Sequence, residues 1–205
     1  MTIGVVTVAS DLYAHHLPGW AASVAALTTQ PDRIVIGAQT MPVGLPLGTY
    51  TYVPLPGDFD FADWYNRVVE ACDTDWIAWI GSDDRYRPHA LDGIERDDAD
   101  VVAFGLQYDT GQVWQPGDVT AHDVLGMRSN LIPCGSPIRR ETWLRTPMLS
   151  RFGPLSDWQL WAGAAACGAR FAATNRIDVD YAYAGHTAPP DEPTRSLISD
   201  WLQSL

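Results

Sequence analysis

Two adjacent carboxylates stand at the end of an apolar run. Trp76-Ile77-Ala78-Trp79-Ile80 reads as a buried strand and leads straight into Gly81-Ser82-Asp83-Asp84. In open α/β sheets, ligands bind beyond the carboxyl ends of the strands. Adjacent acids in that position repel each other unless a cation lies beside them. Their oxygens suit Mn2+ or Mg2+, which typically bind one or two carboxylates together with substrate phosphates. The plainer alternative is that Ser82-Asp83-Asp84 caps the turn that follows. A third acid, Asp157, falls at the start of a helical stretch, Ser156–Cys167. A helix N-terminus lowers a carboxylate's pKa, so Asp157 is expected to stay ionised; it or Ser156 can equally be an N-cap.

The elements that must position these acids follow from periodicity. Ile3–Val8 is a short β-branched run, as in a strand buried on both faces. Leu17, Trp20, Ala21, Val24 and Leu27 recur at helical spacing, with Pro18 in the first turn. Arg33–Gly37 is a second buried strand, which completes a βαβ unit and implies a parallel sheet. Residues 41–60 are rich in Pro and Gly around a short strand at Thr49–Val53. A helix over Phe61–Cys72, the strand Trp76–Ile80, a short helix over His89–Ile94 and a strand over Val101–Gly105 come next. The second half is more irregular. Residues 107–130 read as turns and short strands, Arg139–Leu144 as a helix start, and Ser156–Cys167 as a helix closed by Gly168. Arg170–Thr174 and Val179–Tyr183 read as two short strands, and Leu197–Leu205 as an amphipathic helix.

Composition narrows the chemistry further. The 205 residues suit a single domain, and a chain that is 46% hydrophobic and 19% charged is not disordered in the main. Thirteen basic residues against 25 acidic ones give a net charge of −12, which repels nucleic acid and anionic membrane. All thirteen are Arg, the mark of a GC-rich genome, bacterial or phage. Without Lys there is no P-loop lysine and no Schiff base. No apolar run approaches the roughly 20 residues of a membrane span. The N-terminal run has no basic stretch before it, so a secretory leader is not expected. Cys72, Cys134 and Cys167 are widely spaced and form no CxxC pair, which fits free thiols and a cytoplasmic protein.

Read in order, several segments resemble the family-2-type inverting glycosyltransferases of the GT-A fold. Asn66-Arg67-Val68-Val69-Glu70-Ala71-Cys72, the strand from Trp76, and Gly81-Ser82-Asp83-Asp84-Arg85-Tyr86-Arg87-Pro88 are similar to the family's Asn-led helix, hydrophobic strand and Asp-rich metal motif. Pro133–Glu141 looks like its small-residue segment running into Arg-Arg-Glu. Phe152–Trp161 looks like its acidic-Trp helix start, and His186 stands where members often place a late histidine. The likeness covers residues 3 to about 187. Three positions depart from it: the family's Asp-x-Asp begins at Gly81 here, Gln39 stands where an Asp usually reads the base, and Tyr65 stands where an Arg usually precedes the helix Asn.

The resemblance implies an α/β chain with a Rossmann-like sheet flanked by helices. It would form one GT-A-like domain over residues 1–205: a nucleotide-sugar half (1–105), an acceptor and catalytic half (106–187), and a tail helix (188–205). It implies transfer of a sugar from a nucleotide-sugar to an acceptor hydroxyl (on a glycan, a protein or a small molecule) with inversion. Asp157 would be the base. Asp83, Asp84 and His186 would hold Mn2+ or Mg2+, and Ala9, Ser10, Gln39, Tyr65, Ser82 and Asp83 would contact the donor. Trp158 either stacks on the acceptor sugar or fills the core. His15 and His16 can touch the nucleotide, and Arg139 and Arg140 either meet phosphate or solvate a helix start. Two other classes stay open: a non-catalytic GT-A-like module that binds a glycan or protein, and a nucleotidyltransferase. The latter usually has a Gly-rich basic loop after its first strand, unlike Ala9-Ser10-Asp11-Leu12-Tyr13.

Overall fold

The computed structural model describes residues 1–126, 130–182 and 192–204. Its strands are β1 (Ile3–Ala9), β2 (Arg33–Ala38), β3 (Thr51–Pro54), β4 (Trp76–Trp79), β5 (Arg85–Tyr86), β6 (Val101–Tyr108), β7 (Val113–Trp114), β8 (Ile138–Arg139) and β9 (Phe171–Tyr181). The helices are α1 (Leu17–Ala25), α2 (Phe61–Ala71), α3 (Ala121–Leu125), α4 (Arg140–Arg145), α5 (Ser156–Ala166) and α6 (Glu192–Leu202). The strands form one mixed sheet in the order β3-β2-β1-β4-β8-β6-β9-β5, with β7 on β6.

The first half is the expected parallel unit. β1 is buried at all seven positions and pairs in parallel with β2 and β4. The sheet is covered on both faces, which is why its central strands read as continuous apolar runs rather than alternating ones. On one face α2 packs with Trp79, Trp143 and Trp161. On the other, α1 packs with Trp20, Trp76 and Phe104. Trp76, Trp79 and Trp161 are fully buried. The Asn66 side chain joins the halves: its amide donates to Met148 O, and its Oδ1 accepts from Trp143 Nε1 and Met148 N.

Three local expectations are corrected. Residues 89–94 are turns, not a helix; Asp92 there accepts from Thr28 and Thr29, so the side-chain bonds compete with a helix. The two short strands expected over 170–183 are one strand, β9, parallel to β6 with an irregular register opposite Gly105. Asn175 adopts a left-handed φ of 56° at the bulge, and buried Asp178 accepts from Thr174, Arg176 and the Gly105 N–H. These polar residues interrupt the apolar pattern without ending the strand. Finally, α6 begins at Glu192 rather than Leu197; Ile198 is buried beside Phe152 and Trp158.

Candidate active site

A cavity of about 680 Å³ opens where the carboxyl ends of β1, β4 and β9 meet the N-termini of α2 and α5. Val8 and Ser10 reach it from β1, Gly81, Ser82 and Asp83 from the turn after β4, and Tyr181 and Ala182 from β9. Gly153, Pro154 and Asp157 close the opposite side. The sequence reading thus brings Asp83 and Asp157 to one cavity from segments 74 positions apart. Among the described residues that line it there is no cationic side chain.

The acidic turn is held from below. Two hydroxyls, Thr7 Oγ1 and Tyr65 OH, donate to the carbonyl of Ile80, each at 2.9 Å. Arg85 donates to the carbonyls of Ser82 and Asp84. Asp83 is half-buried at the cavity wall, whereas Asp84 is 4% exposed and accepts from the Ala182 N–H at 2.9 Å. Burial, then the neighbouring Asp83 charge, pushes the Asp84 carboxyl up to about 8. A Cβ on Gly81 would lie 2.5 Å from Asp83 Oδ1 and 3.1 Å from Asp84 Oδ2. Both acids therefore turn toward one point, and their mutual repulsion is what a hard cation would relieve. His186, the expected third ligand, lies outside the described residues. Among the described residues no group of three His, Cys, Asp or Glu side chains is placed to hold a metal.

Asp157 sits in the first turn of α5. The turn before it, residues 150–155, folds back through Gly153 at φ 52°, a conformation that suits glycine. Ser156 Oγ donates to the carbonyls of Leu149 and Gly153 and anchors the join. The Asp157 carboxylate accepts from the Trp158 N–H at 2.7 Å and from the Asn130 amide at 2.9 Å. The helix N-terminus was expected to lower its pKa. Instead, burial outweighs both hydrogen bonds and raises it to about 6.

Other expected residues fall elsewhere. Ala9 is 1% exposed and does not reach the cavity, unlike its neighbours Val8 and Ser10. Gln39 is not in the lining: its amide donates to Gly57 O and its Oε1 accepts from the Asp11 N–H, tying together the loops after β1 and β3. Tyr65 lines the cavity, but its hydroxyl is committed to Ile80. Trp158 is 1% exposed and packs with Phe152, Ala162 and Ile198, so it belongs to the core and offers no face to a sugar. His15 and His16 stack on each other at 3.9 Å outside the lining; Tyr13 reaches it instead. Arg139 and Arg140 lie beside Trp76, at the opposite end of β4 from Asp83. Arg140 donates to Val69 O and Glu70 O at the C-terminus of α2, and Arg139 to Ala99 O and Arg96 O. They cap carbonyls rather than meet phosphate.

Residues with no sequence signal complete the cavity: Tyr13, Phe59, Phe61, Cys134, Ser150 and Tyr181 in its lining, and Asn130 behind Asp157. Apart from Phe61, which opens α2, they come from loops and strand ends without periodicity. Phe59 is half exposed, a large apolar side chain at a cavity mouth.

No family model matches the chain, and no curated protein matches it in sequence. Solved structures do match. S. aureus TarS 1-349 in complex with UDP superposes with a TM-score of 0.71 at 12% identity, covering 99% of this chain and 71% of that one. The same protein in complex with UDP-GlcNAc gives 0.69 at 13%, covering 96% and 61%. Mannosyltransferase PcManGT from Pyrobaculum calidifontis, in complex with GDP-Man and Mn2+, gives 0.66 at 11%, covering 90% and 58%. The chain spans 43% to 71% of the length of the TarS structures it matches. The shared property is the fold, a GT-A-like sheet with its flanking helices.

Proposed function

We propose that this chain is a glycosyltransferase that moves a sugar from a nucleotide-sugar to an acceptor hydroxyl with inversion, in the manner of family 2. The observation that carries the reading is the pairing, across one cavity, of Asp83 in the acidic turn with the carboxylate of Asp157. The cavity is of the size that small-molecule and cofactor sites have, roughly 300–1,000 Å³. Its aromatic rim, Tyr13 and Phe59, offers flat apolar surface to a base.

Without a cationic side chain in the lining, a diphosphate needs its charge met another way. Asp83 and Asp84, with His186, are the residues to hold Mn2+ or Mg2+, which would supply charge neutralisation for the departing diphosphate. Asp157 accepts the proton of the acceptor hydroxyl as that oxygen bonds to the anomeric carbon. The bond from that carbon to the diphosphate oxygen breaks on the opposite face. A pKa near 6 leaves Asp157 mostly ionised at neutral pH while keeping it basic enough to take a proton.

The experiment is calorimetric titration with UDP, GDP, dTDP and CMP, with Mn2+ or with EDTA, followed by assays for release of sugar from UDP-GlcNAc and GDP-mannose. Cation-dependent binding of one diphosphate, with turnover that Asp157→Asn abolishes, is the expected result. Binding with no turnover of any donor would favour a non-catalytic module. Equal binding in EDTA would remove the cation.

A further inference from the structure

Asn130 ends a stretch without periodic signal, yet its side chain meets the Asp157 carboxylate in the cavity wall. Its Nδ2 donates to Asp157 Oδ2 at 2.9 Å. The orientation is chemically required, because an ionised carboxylate only accepts, and turning the amide over would set two acceptor oxygens against each other. The far end of the same amide is informative. Asn130 Oδ1 is buried and has no hydrogen-bond partner among the described residues. Buried acceptors are normally paired, and departures from that rule concentrate at functional sites.

We propose that Asn130 is the positioning residue of the general base: its amide fixes the Asp157 carboxylate and favours the anion, while each carboxylate oxygen keeps an acceptor position for the substrate hydroxyl. This rests on the transferase reading above. The Trp158 N–H fixes Oδ1 at 2.7 Å, so the two donors hold the group from both oxygens. Among the described residues no positive side chain bonds to this carboxylate. Cys134 and Tyr181 share the carboxylate's surroundings, but burial and the nearby acids hold both neutral. Asp83 lines the same cavity and adds negative charge. Of the elements packed on α5, α3 carries His122 and Asp123, and Asp123 is closed onto Thr120. The 150–155 turn carries Arg151, which lies over Phe152. α4 carries Arg140, Glu141 and Arg145, and α6 carries Asp200 among its described side chains. Among the described residues none of these bonds to Asp157.

The test follows the carboxyl group itself. Asp side chains are labelled with 13C, and the Asp157 resonance is identified by its loss in Asp157→Asn. In Asn130→Ala the titration midpoint is expected to rise by about one pH unit, the scale of a lost hydrogen bond to a charged group. In Asn130→Asp it should rise further, since two carboxyls then share the position. The remaining Asp resonances report whether each variant folds; if Asn130→Ala does not, Asn130→Ser, which keeps a donor, and Asn130→Asp carry the comparison. The second measurement is the pH profile of UDP-GlcNAc or GDP-mannose hydrolysis with Mn2+. The acid limb should move with the titration, lowering the rate roughly five-fold at pH 6 and little at pH 8, with donor KM unchanged. An unmoved Asp157 titration in folded Asn130→Ala or Asn130→Asp overturns the proposal whatever the enzyme does. A moved titration in a chain that hydrolyses neither donor upholds the Asn130–Asp157 coupling and counts instead against the transferase reading.

Discussion

The hydroxyl of Tyr65, a fully buried side chain on α2, donates to the carbonyl of Ile80, the last residue before the acidic turn. The same carbonyl accepts from Thr7 on β1, so a helix and a strand jointly set where Asp83 stands. Tyr65→Phe removes one of the two donors and leaves the carbonyl satisfied by the other. Stability should fall by about 1 kcal/mol, the usual net worth of a hydrogen bond. Nucleotide affinity in Mn2+ should weaken only a few-fold, through a looser turn. Chemical denaturation and calorimetry check both. Unchanged stability with abolished nucleotide binding would mean that the hydroxyl touches the ligand directly.

Gly81 is the second test of the turn. The clash of an added Cβ is with the free end of the Asp83 side chain, which can swing away cheaply. Gly81→Ala should therefore fold with nearly native stability and lose cation-dependent nucleotide binding by tenfold or more, on the order of 1.4 kcal/mol. Restoring the acid usual in the Asp-x-Asp pattern, with Gly81→Asp, should do no better, because the room is already taken. Tighter Mn2+-dependent binding by Gly81→Asp would show that the turn rearranges.

Asp157 separates chemistry from capping. Its folded pKa, about 6, lies above the ordinary carboxylate value of 3.8. Between those values the folded chain holds a proton that the unfolded chain has lost, so stability falls as pH rises through that window. Asp157→Asn removes the buried charge and should stabilise the fold at pH 7 by on the order of 1–2 kcal/mol, with little effect below pH 4. Transfer should drop by roughly 10²–10⁴-fold. Melting curves at pH 4 and pH 7 and a turnover assay make the pair. Loss of stability at pH 7 would favour the capping role.

The two arginines at the far end of β4 are predicted to be structural. Arg140→Ala removes the donor to Glu70 O and one of the two to Val69 O, which keeps the Cys72 N–H, and Arg139→Ala also loses the contact over the Trp76 ring at 4.9 Å. Each should destabilise by about 1 kcal/mol and leave UDP or GDP affinity in Mn2+ unaltered. A selective loss of affinity in either variant would return them to the phosphate.

The parallel half was legible because it is buried on both faces: Ile3–Val8, Ile34–Gly37 and Trp76–Ile80 are apolar runs, and the ends of the first and last of them mark the cavity. Asp83 and Asp157 were legible for the same reason, as acids at the end of a strand and the start of a helix. What the residue types concealed is competition for their polar groups. Gln39, Tyr65 and Arg140 each have the chemistry to bind a ligand, and each instead satisfies a backbone group. Trp158 looks like a stacking platform until the burial of Phe152 and Ile198 around it is known. Asn130 had no pattern to announce it, because its partner is 27 positions away and the link is a single side-chain bond.

The two-residue strand β8 lies between β4 and β6, so among the described residues Ile138 and Arg139 are the one ladder that joins the first strands of the sheet to β6. During synthesis, residues 1–108 therefore emerge with β6 made but with no strand to lie against on the β4 side. The sheet closes only when a segment some thirty positions later arrives. Closure of that long loop precedes any reward from packing, which sets a slow step for folding. Until then the edges of β4 and β6 are exposed to other nascent chains. Slow growth at low temperature should accordingly raise the folded yield more than any change in the cavity would.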